Sequence, residues 1–291
     1  MNQIPERYDR SMRLFGADGQ RAIGNVTVVI VGGGGLGSAL AQHLALLGVR
    51  RITSVDPEEL DETNRNRFVG ARTTDAVPGT LKVALIDRLI RETNSDVESI
   101  PLPKSLLSSE AFDAIKASDW VFGCLDDDGP RAVLNELCAA YGVAYIDLAA
   151  DVPVDGVYGG RVCVEIDGDG CLVCLGLLDQ RDVRRYFESE EQRVREDAVY
   201  GIDRQALDVR GPSVSSVNGV VAGLAATEFM AAVTGLRRPT RLQEYRAWES
   251  KVVVITDSPR PDCLCCKGIR GTGAMADVER YLRHSAAASG C

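Results

Sequence analysis

The stretch Thr27-Val-Val-Ile-Val-Gly-Gly-Gly-Gly-Leu-Gly37 decides how this chain folds. A run of β-branched residues, which is typical of a buried strand, stops at four consecutive glycines. A helix-like stretch, residues 38–47, follows at once. Gly32, Gly34 and Gly37 fit the G-x-G-x-x-G pattern of a strand, a tight turn and a helix N-terminus. Because the first amides of a helix lack partners, we predict an anionic ligand there, namely a nucleotide; a turn without a ligand is the alternative.

Composition limits the classes of function. The chain has 291 residues, 45% of them hydrophobic and 26% charged, and 33 basic residues stand against 42 acidic ones, a net charge of −9. This acidity argues against a nucleic-acid or anionic membrane surface, and we expect it mainly to serve solubility. No apolar run approaches the ~20 residues that span a bilayer, and residues 1–13 do not resemble a secretory signal. We therefore expect a cytoplasmic protein with no nucleic-acid or membrane partner.

Strand and helix patterns alternate from residue 26 to residue 149. Residues 51–56 and 120–125 read as further strands, and residues 131–140 read as a helix. This alternation predicts an α/β fold with a Rossmann-like, doubly wound and mainly parallel sheet. Residues 157–166 and 251–256 read as antiparallel strands that extend the sheet, and residues 212–230 read as a buried helix of small residues.

Polar residues that suit a nucleotide follow the second strand. Asp56 lies about twenty residues past the glycines, the spacing of a carboxylate that binds ribose hydroxyls. Asn64 and Arg67 come next, and an arginine fork is suited to phosphate. Lys82 opens a periodic helix, residues 81–90. Because a lysine in the first turn opposes the helix dipole, a phosphate-facing role is more attractive than a surface role.

Three carboxylates, Asp126, Asp127 and Asp128, follow the strand at residues 120–125. They repel one another unless a cation or hydrogen-bond donors neutralise them. Ligands of open α/β sheets bind at the carboxyl ends of strands, where Mg²⁺ takes one or two carboxylates together with substrate phosphates. The alternative is a simple acidic turn in which Asp128 caps the next helix.

Four of the nine cysteines form two C-x-x-C pairs, Cys171 with Cys174 and Cys263 with Cys266. An odd number of cysteines without a secretory signal argues against disulfides and for a metal. Four thiolates suit tetrahedral Zn²⁺ and leave no open position, so we predict a structural zinc site.

In this order the motifs resemble those of the ThiF/MoeB/HesA family, the bacterial relatives of ubiquitin-activating enzymes. The resemblance covers nearly the whole chain, from the R-Y-x-R sequence at residues 7–10 to Cys266. It implies that the protein uses MgATP to adenylate the C-terminal carboxylate of a small partner protein and releases pyrophosphate.

The resemblance also implies a role for each matching residue. Arg10 would be donated into the ATP site of the other subunit of a homodimer. Arg67, Lys82 and Asp126 would complete the catalytic set, with Asp126 binding Mg²⁺. The residues implied to bind the nucleotide and its metal are Gly32, Gly34, Gly35, Gly37, Asp56, Asn64, Arg67, Lys82, Asp126 and Asp127.

We expect a single adenylation domain over residues 1–291. A helical segment (1–25) would precede the nucleotide-binding half (26–150) and the partner-binding half (151–266). A mobile crossover segment (179–211) would interrupt the second half, and a flexible tail (267–291) would end the chain. The antiparallel strands would bind the tail of the partner by main-chain pairing.

The nature of the partner stays open. A ubiquitin-like or sulfur-carrier protein ending in glycine is the leading hypothesis, and a ribosomal peptide is the alternative. The acidic charge argues against a tRNA-linked carboxylate. The intact Arg67, Lys82 and Asp126 argue against a non-catalytic carrier-binding subunit. A nicotinamide dehydrogenase is disfavoured, because the sequence shows no catalytic residue set for that reaction.

The sequence departs from the family pattern at Ser11, where glutamine is usual, and at Asp127, where asparagine is common. The crossover segment contains no cysteine, so a nucleophile for a following transfer is not evident. Cys265 and Cys291 are the loose candidates, and the downstream pathway stays open.

Overall fold

The computed structural model describes residues 4–154, 156–188, 213–256 and 259–283, with the backbone alone for residues 151–154. The strands are β1 (Thr27–Val31), β2 (Arg51–Val55), β3 (Glu98–Leu102), β4 (Trp120–Gly123), β5 (Ala144–Val154), β6 (Val157–Glu165), β7 (Leu242–Arg246) and β8 (Lys251–Val254). The α-helices are α1 (Asp9–Ile23), α2 (Gly35–Leu47), α3 (Lys82–Thr93), α4 (Ser109–Lys116), α5 (Asp128–Tyr141), α6 (Gln180–Phe187) and α7 (Ser215–Thr234).

All eight strands form one sheet in the order β3-β2-β1-β4-β5-β6-β7-β8. The first five are parallel, and β6, β7 and β8 continue the sheet in antiparallel fashion. The strand order reverses between β1 and β4, and such a switch point opens a crevice at the carboxyl ends of the strands. The structure thus confirms the predicted doubly wound sheet with an antiparallel extension.

Helices cover both faces of the sheet. On one face, side chains of α2, α3 and α7 pack against the strands, including Leu40, Ile86 and Phe229. On the other face, α4 and α5 contribute Phe112 and Leu134. Because both faces are covered, β1 and β4 at the centre of the sheet are almost wholly apolar, as is typical of buried parallel strands.

Helix α7 has the length and apolar composition of a membrane-spanning helix. It packs instead against α1, α2, β5 and β6 in the core. Its Glu228 is buried, and both carboxylate oxygens accept hydrogen bonds from Arg237 at 2.7 Å. The apolar character of α7 is therefore that of a core helix.

The chain after the second C-x-x-C pair folds back onto α5. Val278 is buried, and the Arg280 guanidinium and the Tyr281 hydroxyl each donate to Glu136 on α5 at 2.6 Å. The prediction of a flexible tail was therefore wrong for residues 267–283, because these polar anchors and an apolar contact hold them. Residues 284–291 lie outside the described residues.

Part of the predicted crossover segment is helical. Asp179 caps α6 by accepting a hydrogen bond from the Arg181 amide at 2.7 Å. The ring of Phe187, at the end of α6, stacks on Tyr281 with centroids 5.1 Å apart. Residues 189–211 of that segment lie outside the described residues, so its mobility stays a prediction.

Candidate active site and cysteine cluster

The glycine loop, residues 32–37, leads from β1 into α2. Gly32 has a φ of +97°, and a Cβ there would lie 2.5 Å from the carbonyl oxygen of Cys124. A Cβ on Gly37 would lie 2.0 Å from the Gly32 carbonyl oxygen, whereas a Cβ on Gly34 would meet nothing within 4 Å. Two of the glycines therefore allow the turn and the close approach of the helix, and the backbone at Gly34 stays open for a ligand.

Asp56 follows β2 and lies against the glycine loop. Its Oδ2 accepts a hydrogen bond from the Gly33 amide at 2.6 Å, and its Oδ1 accepts one from the Glu58 amide at 2.8 Å. Burial raises the pKa of Asp56, while the positive charge of Lys82 and the two amide donors oppose that shift. The carboxylate is thus held at the loop, with lone pairs left for a ligand.

Asn64 and Arg67 are carried by the segment after Asp56. Asn64 is buried, and its Oδ1 accepts a hydrogen bond from the Asp61 amide at 3.2 Å. The stem of Arg67 reaches the glycine loop, since its Cγ lies 3.2 Å from the position of a Cβ on Gly35. The structure therefore brings Arg67 to the loop and uses the amide oxygen of Asn64 to hold the backbone.

Lys82 is the first residue of α3 and is only 4% exposed. Its ammonium group pairs with the carboxylate of Glu58, and its charge also acts on Asp56. A buried lysine needs such partners, because the desolvated charge is costly alone. This pair places the lysine charge near the carboxyl end of β2, and the phosphate-facing role of Lys82 stays a prediction.

The acidic turn consists of Asp126 and Asp127, which follow β4, and Asp128, which is the first residue of α5. Asp126 is exposed and makes no hydrogen bond or ion pair with the described residues. Burial raises the pKa of Asp127, opposed by the Gly129 amide and reinforced by the charges of Asp126 and Asp128. This places one unpaired carboxylate at the carboxyl end of β4.

The expectation that Asp128 caps the helix was wrong by one residue. Asp127 has an extended backbone, with φ −121° and ψ 135°, and its Oδ1 accepts a hydrogen bond from the Gly129 amide at 2.8 Å. Asp128 is already helical, so only Asp127 has the geometry of an N-cap. One oxygen of Asp127 is thus committed to the helix.

Arg10 lies on α1, is exposed, and makes no hydrogen bond or ion pair within the described part of the chain. The neighbouring Tyr8 is buried against Gly48, just past the end of α2, where a Cβ would lie 2.1 Å from the tyrosine hydroxyl. Because α2 has 13 residues, that end is ~20 Å from the glycine loop. Tyr8, two residues before Arg10, is thus anchored at the end of α2 that is far from the loop.

Asn218 also reaches the glycine loop, although no sequence motif predicts this contact. This residue is 1% exposed on the first turn of α7, and its Nδ2 lies 2.3 Å from the position of a Cβ on Gly35. The Ser213 hydroxyl accepts a hydrogen bond from the same Nδ2 at 3.1 Å. No local pattern marks this asparagine, because the contact joins segments far apart in the chain.

The cysteine cluster consists of Cys171, Cys174, Cys263 and Cys266. All four are buried, and their sulfur atoms lie within 4.8 Å of one another. The Sγ atoms of Cys171 and Cys263 are 3.6 Å apart, and those of Cys174 and Cys266 are 3.8 Å apart. A Zn–S bond of about 2.3 Å in a tetrahedron separates sulfur atoms by ~3.8 Å. The cluster therefore fits a zinc ion.

The chain segments that carry the cluster dock onto the C-terminal half of α5. The Leu172 amide donates to Oδ1 of Asn135 at 3.0 Å, and the Gly271 amide donates to the carbonyl of Ala139 at 3.0 Å. Cys265 is buried beside the four cysteines, so it offers no exposed thiol. Cys291, the other loose candidate, lies outside the described residues.

Comparison with known proteins now identifies the class. The model of the ThiF family matches residues 8–265, and the chain belongs to this family. It is similar to "Adenylyltransferase and sulfurtransferase MOCS3" of Sus scrofa, with 34% identity over 164 residues, and it spans only 35% of the length of that relative. It is also 25% identical to "SAMP-activating enzyme E1" of Haloferax volcanii, with 94% of this chain and 93% of the relative covered.

The fold is shared with a solved structure. MccB, described as a Microcin C7 biosynthetic enzyme in complex with N-formylated MccA, superposes with a TM-score of 0.72. The match covers 90% of this chain and 77% of that chain at 20% identity. At this identity the likeness establishes the fold alone.

Proposed function

We propose that this protein is a cytoplasmic, homodimeric, ATP-dependent adenylyltransferase. Its substrate would be the C-terminal carboxylate of a ubiquitin-like or sulfur-carrier protein that ends in glycine. The observation that carries the proposal is the convergence of the open glycine loop, Arg67, Lys82 and the acidic turn at the carboxyl ends of β1, β2 and β4. The similarity to an enzyme named as SAMP-activating supports the choice of partner.

The reaction needs little acid–base chemistry. The carboxylate of the partner is ionised near neutral pH, so no general base is required. One of its oxygens would form a bond to the α-phosphorus of ATP, and the bond to the bridging oxygen would break as pyrophosphate leaves with the electron pair. Arg67 and Lys82 would supply positive charge where negative charge develops. Asp56 would hold the ribose through the lone pairs that its backbone donors leave unused.

Asp126 would hold Mg²⁺ at this site. Its carboxylate is exposed and unpaired within the described residues, and oxygen ligands are those that Mg²⁺ prefers. The ion, when bound, would neutralise phosphate charge. Asp127 has one oxygen engaged by the Gly129 amide, so its contribution would come from the other oxygen.

We further propose that Arg10 acts on the ATP site of the other subunit. Tyr8, two residues before Arg10, is anchored at the end of α2 that lies ~20 Å from the loop of its own subunit. Mixing inactive Arg10→Ala and Asp126→Ala subunits should restore activity, because a heterodimer retains one intact site. Verified heterodimers with no recovered activity would contradict this arrangement.

The partner's tail would approach along the antiparallel extension. Strand β8 forms the outer edge of the sheet, and such an edge offers unpaired main-chain groups to an extended peptide. The cysteine cluster would hold a structural zinc ion, because four buried thiolates leave no position for a substrate.

Mass spectrometry of the reaction product tests the proposed substrate. Carrier proteins ending in glycine, the same proteins with an amidated C-terminus, and short peptides should be incubated with ATP and Mg²⁺. We expect an AMP adduct on the free carboxylate of a carrier and none on the amidated form. Adducts on peptides alone would replace the carrier with a peptide substrate, and adducts on neither would refute adenylation of these classes.

A further inference from the structure

Arg131 connects the acidic turn to the neighbouring strand. It lies in the first turn of α5 and is only 6% exposed. Its Nε donates to the carbonyl of Leu125 at 3.0 Å, and its Nη2 donates to the carbonyl of Leu148, on β5, at 3.1 Å. Its Nη1 lies 3.4 Å from Oδ1 of Asp128. The Arg131 guanidinium thus links Leu125, before the turn, and Asp128, within the turn, to strand β5.

A buried carboxylate, that of Asp147, lies next to the Arg131 guanidinium. Asp147 on β5 is 0% exposed, and its Oδ1 lies 3.7 Å from Nε of Arg131. The same oxygen accepts a hydrogen bond from the Tyr145 hydroxyl at 2.9 Å. A buried arginine is costly unless it is paired and hydrogen-bonded, so this pairing fixes where the charge can sit.

The turn is also joined to the start of the crossover segment. Oδ2 of Asp128 accepts a hydrogen bond from the Asp179 amide at 2.7 Å. A Cβ on Gly129 would lie 2.2 Å from the ring of Tyr186, so α6 packs directly on the first turn of α5. Arg131 therefore holds, through Asp128, the point at which the acidic turn meets α6.

We propose that Arg131 is a positioning residue that holds the acidic turn in the geometry that receives a magnesium–nucleotide complex. The inference rests on the proposed function of that turn. Three adjacent carboxylates repel one another, and the Arg131 fork offsets this repulsion while fixing the backbone at Leu125. The ammonium of a lysine is a single point charge and does not reproduce a planar fork across three oxygen atoms. Arg131→Lys keeps the charge and removes the fork.

Calorimetry of a non-hydrolysable ATP analogue tests this role, once with saturating Mg²⁺ and once in EDTA. We expect Arg131→Lys to weaken binding with Mg²⁺ about tenfold, the factor that one lost charge-assisted hydrogen bond gives. Binding in EDTA should be unchanged. The matched control is Arg280→Lys, which alters a similar fork between Glu136, in the second half of α5, and the Asp277 carbonyl. The control should bind like the wild type in both conditions.

Equal Mg²⁺-dependent binding by Arg131→Lys and Arg280→Lys would overturn the inference, and so would an equal loss with and without Mg²⁺. If Arg131→Lys does not fold, the same binding measurement on Asp128→Asn tests the inference. That variant removes the ionic partner on the turn and should weaken binding in Mg²⁺ alone; unchanged binding would overturn the inference. A wild type that binds no nucleotide would instead refute the proposed function.

Discussion

The acidic turn and the cysteine cluster, the two candidate metal sites among the described residues, lie toward opposite ends of α5 and differ in their ligand atoms and in burial. The acidic turn lies at the start of α5 and offers the oxygen atoms of Asp126, which are exposed and unpaired within the described residues. The cysteine cluster docks on the other half of the helix through Asn135 and Ala139, and its sulfur atoms are buried. Because α5 has 14 residues, about 20 Å of helix separates the two ends.

The chain thus keeps the site proposed for chemistry apart from the site that stabilises the fold. An exposed oxygen site with free positions can accept a metal together with phosphates. A buried site with four sulfur ligands has no position left for a substrate and contributes to folding. Changes at the acidic turn should therefore cost activity, and changes at the cysteine cluster should cost stability.

The largest expected effect is on stability, at the cluster. Cys174→Ala removes one of four ligands, and we expect a loss of at least about 4 kcal/mol, or about 10 °C in the melting temperature, with loss of bound zinc. Thermal unfolding and metal analysis measure both. The matched control is Cys163→Ala, a buried cysteine on β6 outside the cluster, which should cost about 1 kcal/mol. Full zinc retention by Cys174→Ala would contradict the four-cysteine site.

Within the glycine loop, we expect Gly37 to matter for stability and Gly34 to matter for nucleotide binding. In Gly37→Ala the new Cβ would lie 2.0 Å from the Gly32 carbonyl oxygen, so we expect a loss of about 1–3 kcal/mol by overpacking. Gly34→Ala has open space and a φ of −77°, so stability should hold. Binding of an ATP analogue to Gly34→Ala should still fall about tenfold, because the methyl group occupies the approach to the backbone. Chemical denaturation and calorimetry check the pair; equal behaviour of the two variants would contradict the assigned roles.

The smallest expected effect concerns the segment that carries Arg67. The hydrogen bonds from Arg88 hold the pKa of Asp75 at about 2. A lowered carboxyl pKa contributes stability above the unfolded value near ~3.9, and the contribution is lost as pH falls toward about 2. Asp75→Asn should therefore destabilise the protein by about 1–2 kcal/mol near neutral pH, and the difference should vanish toward pH ~2.

Denaturation curves at several pH values test the Asp75 prediction. The control is Asp87→Asn, whose exposed partner Arg91 gives an ion pair of little value. A difference between Asp75→Asn and the wild type that is constant down to pH ~2 would show that the ion pair is not its source.

The sequence located what short spacing determines. Local patterns indicate the glycine loop, the strand before Asp56, the helix that begins at Lys82 and the paired cysteines, and the structure has each of them. The choice of cap did not follow, since both Asp127 and Asp128 have the required side chain and only backbone geometry distinguishes them.

Contacts between distant segments were also beyond local patterns. Asn218 meets Gly35 only because the fold brings α7 to the glycine loop, and Arg131 meets Leu148 only because it packs α5 on β5. The packing of residues 267–283 likewise depends on Glu136 of α5, which is far away in the sequence. Apolar spacing carries no information on such polar partners.

The central claim is that the acidic turn takes part in adenylation. ATP–pyrophosphate exchange tests it most directly, when exchange and the melting temperature are both measured for the wild type and for Asp126→Ala. With a carrier protein that ends in glycine, we predict exchange by the wild type and a loss of at least about 100-fold in the variant. The melting temperature should be unchanged, because the Asp126 side chain is exposed and unpaired within the described residues. Exchange that persists in Asp126→Ala, or a loss that is matched by unfolding, would contradict the assignment of chemistry to the acidic turn.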